Sequence, residues 1–434
     1  MSVPSGRLLI ADSALWPIGG ADPRPGPFGE AAVETFAAHR DRLGRRPRGT
    51  VDQIERLAEV GLTGCGGGHV PVAVKWRAAA EATGPLTVVA NAAESEPLAG
   101  KDGTLLRQRP HLVLDGLTLA AEALGASRAV VWLHGDDDGA RRAVERALGE
   151  RTRWGAEGRA ESGIEVVSGP SHYLAGEATA ITRALEGGPP MPRQMRTFRP
   201  APGAPATLVQ NAETLARAAL VARGLPAVQT AILTVVAGTD RRVVEVERGM
   251  SLGDAVAGAA PAALRLPGSV LLGGYGGTWA RWSAAADLPV AEPAFRATGL
   301  TLGAGVVGLL APGACGVATT AAIAAYLAAM SARQCGPCVY GLPAVAAGMS
   351  ALAAGSARRR DMRRVASDLD AIRGRGACRH PDGTVRLVAS ALEVFADDVA
   401  AHLARRSCAG AGRSHLPVPA SGTSSPRRAS AVSR

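Results

Sequence analysis

The tetrapeptide Cys335-Gly-Pro-Cys338 is the sharpest local motif in the chain. A Cys-x-x-Cys spacing puts two thiols on one turn, which suits a redox dithiol, a zinc site or an iron–sulfur cluster. A redox dithiol of the thioredoxin kind follows a strand, whereas a run of small residues with helical character precedes this motif. Zinc asks for four ligands; Cys378 supplies a third, with His380 close by. An iron–sulfur cluster asks for thiolates, typically four, and the same three cysteines serve. Two further stretches read as site sequence. Gly64-Cys-Gly-Gly-Gly-His69 leads through Pro71 to Lys75-Trp76, and Asn91-Ala-Ala-Glu94-Ser95-Glu96-Pro97 leads to Lys101-Asp102. Glycines let backbone N–H groups approach a phosphate or an aromatic ring; Asn, Ser and Glu can bond a heterocycle edge or sugar hydroxyls. These stretches hold both lysines of a chain with 48 Lys and Arg residues. A compact ammonium kept in so Arg-biased a chain suggests a place where a planar guanidinium does not fit.

Helices and strands must position these residues. Thr50 reads as the N-cap of a helix over 51–60, ended by Gly61. An α/β alternation follows, with strands at 86–90, 129–133 and 164–167 and helices at 112–124, 139–148 and 176–185. Asn91 opens the loop leaving the first of these strands, and ligands of open α/β sheets bind outside the carboxyl ends of strands. A proline-rich loop at 187–205 precedes a helix at 211–223. From about 227 the pattern changes. Runs at 232–237 and 242–246 read as a hairpin, Ser251 caps a short helix, and a strand from 270 enters a glycine-rich turn, together the size of a β-grasp module. Residues 303–406 read as mostly helical. Residues 1–49 show little periodicity, and 409–434 read as a disordered tail.

At 47% hydrophobic but 3% aromatic, the core must be filled by Ala, Val, Leu and Gly. The net charge of +10 is partly gathered at 40–48, 358–364 and the tail, patches that suit an acidic protein partner. No aromatics interleave with them, which argues against a single-stranded nucleic-acid groove. Six dispersed cysteines do not make a disulfide scaffold, and no signal peptide opens the chain, so a cytoplasmic protein is expected. Residues 297–332 carry no charge, yet Pro312-Gly313 interrupts them. A strand at 306–310 and a helix at 317–332 fit better than a membrane span.

Taken together, the motifs resemble those of the FMN-containing, NADH-oxidising flavoprotein subunit of respiratory complex I and of the related NAD-reducing hydrogenases and formate dehydrogenases. The family's Gly-Arg-Gly-Gly-Ala-Gly-Phe-Pro-Thr-Gly-x-Lys-Trp is matched by Gly64, Gly66, Gly67, Pro71, Lys75 and Trp76. Its Asn-Ala-Asp-Glu-Ser-Glu-Pro with a following Lys-Asp is matched by Asn91, Glu94, Ser95, Glu96, Pro97, Lys101 and Asp102. Its Tyr-x-x-Gly-Glu-Glu-Thr-Ala-Leu is matched by Tyr173, Gly176, Glu177, Thr179 and Ala180, and its Val-Asn-Asn-Val-Glu-Thr by Val209, Asn211, Glu213 and Thr214. The resemblance implies an α/β protein: an N-terminal extension at 1–49, a Rossmann-like FMN-binding domain at 50–226, a ubiquitin-like β-grasp domain of the SLBB type at 227–297, and a C-terminal helical bundle with an iron–sulfur motif at 298–408. It implies FMN contacts from Gly64, Gly66, Gly67, Lys75, Asn91, Glu94, Ser95, Gly176, Glu177, Asn211 and Thr214. Glu96, Tyr173 and Phe198 fall on the nicotinamide side, Glu96 and Glu177 take catalytic roles, and Cys335, Cys338 and Cys378 take the metal.

The departures from the family are uneven. The second acid of the Glu-Glu pair is Ala178, and the acid of Asn-Ala-Asp is Ala93. Two nicotinamide-stacking Phe positions are Val70 and Ala78, a glycine is His69, and the cofactor-contacting Lys is Met195. The cluster motif Ser-Cys-Gly-x-Cys-x-Pro-Cys reads Ser331-Ala-Arg-Gln-Cys335-Gly-Pro-Cys338, so its first cysteine is Ala332. Three thiolates suit a [3Fe–4S] cluster, or a [4Fe–4S] cluster with His380, Cys315 or solvent as fourth ligand. The implied reaction carries electrons from NAD(P)H through FMN to an iron–sulfur centre. They would leave to an acidic electron-transfer protein such as a ferredoxin or a thioredoxin-like [2Fe–2S] subunit, with peripheral association at a membrane. The lost rings leave open a relay that exchanges electrons with a ferredoxin without NAD(P)H, and the lost ligands leave open a non-catalytic subunit.

Overall fold

A computed structural model describes residues 8–10, 14–17, 33–154, 163–194, 202–260, 267–405, 408, 410 and 416–419. The edge strand β1 (Ala14–Pro17) comes first, in a segment whose sequence shows no strand period. Four parallel strands follow: β2 (Leu86–Ala92), β3 (Arg128–Leu133), β4 (Ile164–Ser168) and β5 (Ala206–Asn211). Their order in the sheet is β4-β3-β2-β5. β3 and β4 step outward on one side of β2, whereas β5 pairs with its other edge, opening a crevice beyond the carboxyl ends of β2 and β5. Near-continuous burial along β2 and β3 fits a parallel sheet covered on both faces. Helices Pro110–Ala123 and Ala212–Ala222 supply much of that cover and are buried over most of their length.

The second sheet is built from β6 (Thr230–Ala237), β7 (Asp240–Glu247), β8 (Ser269–Leu272), β9 (Thr278–Arg281) and β10 (Val306–Leu310), with β1 on its edge. Its order is β1-β7-β6-β10-β8-β9. β6 and β7 form the hairpin expected from sequence, closed by Gly238 at φ 64° and Thr239. The strand at 306–310 is formed as read, but it lies mid-sheet, parallel to β6 and antiparallel to β8, so this sheet draws on residues beyond 297.

Helices Gly316–Ala329, Leu342–Ala353, Arg359–Ile372, His380–Val394 and Ala396–Leu403 make the C-terminal bundle. Among the described residues, no helix is long and apolar enough to cross a membrane. The bundle core is continuous with residues of the other two regions, including Leu98, Ala99, Val236, Leu271 and Tyr275. Two terminal segments also pack. Leu9 and Ile10 are buried and donate their N–H groups to Glu245. Leu416, within the stretch read as a disordered tail, is buried against Gly308.

Candidate functional site

The crevice outside β2 and β5 gathers most of the residues singled out above. Asn91 and Asn211 are register partners at the ends of the two strands. Asn91 donates its Nδ2 to the Gly176 carbonyl at 2.9 Å, and the Gly176 N–H donates to Ser95 Oγ at 2.9 Å. Position 176 must be glycine, because a Cβ there would lie 2.6 Å from the Ala93 carbonyl. Asn211 caps helix Ala212–Ala222 through Glu213 N–H and donates to Asp102 Oδ2 at 2.6 Å. Thr214 Oγ1 accepts the Cys65 N–H at 2.9 Å, tying the glycine loop to the same helix. Gly64, Gly66 and Gly67 lie on that loop, and a Cβ on Gly66 would lie 3.5 Å from the Asn211 Cβ.

The charges here are arranged asymmetrically. Lys101 is fully buried between Asp102, 3.1 Å away, and Glu213, 2.8 Å away, and it also reaches Asn211 Oδ1. Burial would raise the Glu213 carboxyl, but Lys101 and Arg217 overcome it and hold it at about 2. Lys101 therefore braces the site from behind. Lys75 is different. Its Nζ donates to the Val209 carbonyl at 2.6 Å, it has no carboxylate partner among the described residues, and burial pulls it down to about 8. Glu94 accepts the Asp102 and Gly103 N–H groups, and burial, then Asp102, push it up to about 7. Glu96 accepts from Tyr275 N–H at 2.9 Å, Tyr173 Oη–H at 3.1 Å and Leu98 N–H at 3.3 Å, and burial pushes it to about 7. Tyr275 was not singled out from sequence. The signal was the glycine run around it, since a Cβ on Gly274 would meet Glu96 Cδ at 2.5 Å.

Glu177 is the N-cap of helix Ala178–Leu185, its Oε2 accepting the Thr179 and Ala180 N–H groups and the Thr179 hydroxyl. That geometry gives it a structural task before any catalytic one. Phe198 and Met195 lie outside the described residues. His69, where the family motif has glycine, sits at φ 48° and is held by the Gly303 carbonyl at 3.0 Å and Glu292 at 3.3 Å. A cavity of ≈ 50 Å³ lies between this loop and β6, lined by Gly64, Cys65, His69 and Gly303 among others.

The three cysteines converge around a π-helical turn at Pro337–Gly341. Burial, then Cys335 and Cys378, push the Cys338 thiol up to about 12, whereas the Arg333 N–H donates to it. Burial pushes Cys378 up to about 11, with Glu177 adding to the rise and the His380 N–H donating to the sulfur. Arg333, where the cluster motif has glycine, keeps a left-handed φ of 51°. Ala332 is buried against Leu174 and Met191, so no thiol occupies the fourth position. Of the other ligands considered, His380 is engaged elsewhere, its Nε2 donating to the Leu327 carbonyl at 2.8 Å. Cys315 pairs instead with His402, 3.4 Å away.

Both cofactors expected from the resemblance fit these residues. An ammonium without an acidic partner, bare glycine backbone and half-exposed Asn91 and Ser95 suit the phosphate and polar edge of FMN. Three thiols, two of them receiving N–H···S bonds, suit iron, since such bonds favour the thiolate form. Comparison with known proteins agrees. The Nuo51 FMN-binding domain family matches residues 57–219, and the NADH-ubiquinone oxidoreductase-F iron–sulfur binding region matches residues 318–402. An F-type subunit of NADH-quinone oxidoreductase in Rhizobium meliloti (strain 1021) is 29% identical over 403 residues, covering 86% of this chain and 93% of that protein. The corresponding F-type subunit in Escherichia coli (strain K12) is 33% identical over 199 residues, covering 43% of this chain and 44% of that protein. The crystal structure of an NAD+-reducing [NiFe]-hydrogenase in the H2-reduced state superposes with a TM-score of 0.72 at 27% identity. That match covers 88% of this chain and 65% of the hydrogenase chain. The cleft, the cysteine triad and these matches place the chain, as a divergent member, in the family of the F-type flavoprotein subunits of NADH-quinone oxidoreductase.

Proposed function

We propose that the chain is an FMN-dependent electron-transfer subunit that takes electrons from reduced nicotinamide and passes them through an iron–sulfur centre to a partner protein. Bound FMN supplies the conversion of a two-electron donor into single-electron steps. The chain's own residues orient and insulate. Lys75 meets a negative group of the cofactor, and Gly64, Gly66 and Gly67 let the backbone approach it. Asn91, Ser95 and Gly176 form one hydrogen-bonded edge that fixes the ring side of the cleft. Glu96, titrating near neutrality, holds or releases a proton at its carboxyl on the nicotinamide side. Cys335, Cys338 and Cys378 hold the iron.

The observation that carries this reading is adjacency. The Tyr173 ring lies 5.4 Å from the His380 ring, and Cys378 senses the Glu177 carboxylate. The 173–177 segment thus touches both the flavin cleft and the cysteine loop, as electron transfer between them requires. The names of the relatives support nicotinamide as donor. Exposed Arg333, Arg375 and Arg379 beside the cysteines suit an acidic partner, a ferredoxin or a thioredoxin-like [2Fe–2S] subunit. Peripheral membrane association would come through such a partner. A second reading, a ferredoxin relay without NAD(P)H, is favoured by Val70 and Ala78, which bring no ring to the cleft.

The test is anaerobic reconstitution with FMN, iron and sulfide, followed by stopped-flow mixing with NADH or NADPH. Bleaching of the flavin band within milliseconds is expected. Failure to retain FMN overturns the proposal. Bound flavin that neither nicotinamide bleaches, but reduced ferredoxin does, transfers the case to the relay.

A further inference from the structure

A second metal-ligating cluster lies in the C-terminal bundle, apart from the three cysteines of the iron–sulfur motif. Cys315, His402 and Cys408 bring one ligand atom each within 4.8 Å of one another. His402 Nε2 lies 3.4 Å from Cys315 Sγ and 3.3 Å from Cys408 Sγ. A tetrahedral zinc with bonds of about 2.3 Å to sulfur and about 2.0 Å to nitrogen has S···N edges of roughly 3.5 Å. The observed separations match those edges before any ion is placed. Cys315 and His402 are buried, and Cys408 is half-buried.

The surroundings favour a cation. Asp398 stands one helical turn before His402 and interacts with both His402 and Cys315, while also accepting the Gly316 N–H. Its carboxylate can hold a ligating water. The Cys315 sulfur accepts the Ala318 N–H at 3.2 Å as the N-cap of helix Gly316–Ala329, a bond that stabilises a thiolate.

We propose that Cys315, His402 and Cys408, completed by a water held by Asp398, bind one zinc ion that fastens the C-terminal segment across the start of helix Gly316–Ala329. Binding displaces the two thiol protons and leaves both sulfurs as thiolates. The path of the chain shows what is fastened. Beyond Cys408, Gly410 packs on the backbone of residues 313–315, Leu416 is buried against Gly308, and the Pro417 carbonyl accepts the Tyr275 hydroxyl. Tyr275 in turn gives its N–H to Glu96. The ion therefore secures a strap whose far end holds the turn behind the nicotinamide side of the cleft.

The test uses the full chain, the Cys335→Ser/Cys338→Ser/Cys378→Ser triple variant, and Cys408→Ser. Zinc is measured by plasma mass spectrometry, and intact mass is read after alkylation under native and denaturing conditions. The proposal expects one zinc per chain in the full chain and the triple variant, and loss of zinc in Cys408→Ser. Chelator treatment should expose the 408–419 segment to protease. Should Cys408→Ser fail to fold, cobalt substitution of the triple variant decides, with thiolate-to-cobalt charge-transfer bands expected. Metal-free protein after zinc supplementation, zinc unaffected by Cys408→Ser, absence of the cobalt bands, or a Cys315–Cys408 disulfide in the alkylated mass would each overturn it.

Discussion

The flavin-side cleft and the cysteine loop have both drifted from the family sequence, but in opposite ways. In the cleft two acids have become Ala93 and Ala178, while the polar side chains that remain are bonded to the backbone and to one another: Asn91 to Gly176, Gly176 to Ser95, Asn211 to Asp102 and Lys101. In the cysteine loop one ligand has become Ala332, while the backbone keeps its shape, with Arg333 left-handed and its N–H on Cys338. A site whose side chains brace each other has little freedom to lose one. A site whose geometry lies in the backbone can lose a ligand and keep its form.

The largest effect should come from the thiols. Cys378→Ser should abolish iron binding while FMN content is unchanged, as read by iron assay and flavin absorbance on the same sample. The reverse substitution is more informative. Ala332→Cys should add one iron per chain and replace the magnetic signature of a three-iron cluster by that of a four-iron cluster. Unchanged spectra would mean that a non-cysteine ligand already completes the centre.

Next is the brace behind the cleft. Lys101→Met leaves Asp102 and Glu213 buried without their shared cation, and should cost roughly 3–5 kcal/mol in denaturant unfolding. Because Lys101 positions Asn211, FMN retention should fall with it. Lys75→Arg separates charge from shape. The charge is kept, but a wide guanidinium must enter a place with one backbone acceptor, so FMN affinity should drop about tenfold with stability little changed. Retention of FMN at full affinity would show that the lysine is incidental to the flavin.

Much of this contrast could be read from sequence, and the parts that could not share a cause. The parallel strands announce themselves as short apolar runs, and Asn91 as the residue where one of them ends. By contrast, the place of β10 in mid-sheet, the strand at 14–17 and the meeting of Cys315 with His402 depend on partners tens to hundreds of residues away. Local pattern carries no information on such pairings. Glu177 shows a subtler limit: its position matched a functional motif, whereas its local geometry is that of a helix cap.

A pH profile probes the cleft with a smaller effect. Glu94 and Glu96 keep their protons to about 7 in the folded chain, against an ordinary value of 4.5. Between those values the folded form binds more protons than the unfolded one, so stability should fall as pH rises through the window. Glu96→Gln should remove its share of that slope, on the order of 3 kcal/mol across the window, whatever constant offset the substitution adds. Parallel stability-versus-pH curves for the two proteins would show that Glu96 titrates normally.

The smallest effect returns to the two left-handed residues. Arg333 is exposed and holds φ 51° where glycine would adopt it freely, so Arg333→Gly should stabilise the chain by about 0.5–1 kcal/mol. His69 holds φ 48° as well, but its ring is anchored to the Gly303 carbonyl and to Glu292. In His69→Gly the backbone relief is offset by the loss of those contacts and by a Glu292 left with fewer partners, so the net change should be near zero or unfavourable. Equal gains from both substitutions, measured by denaturant midpoint, would mean the His69 contacts contribute nothing. The cleft would then be no better braced at this position than the cysteine loop, and the contrast between the two regions would rest on the Asn91 and Asn211 networks alone.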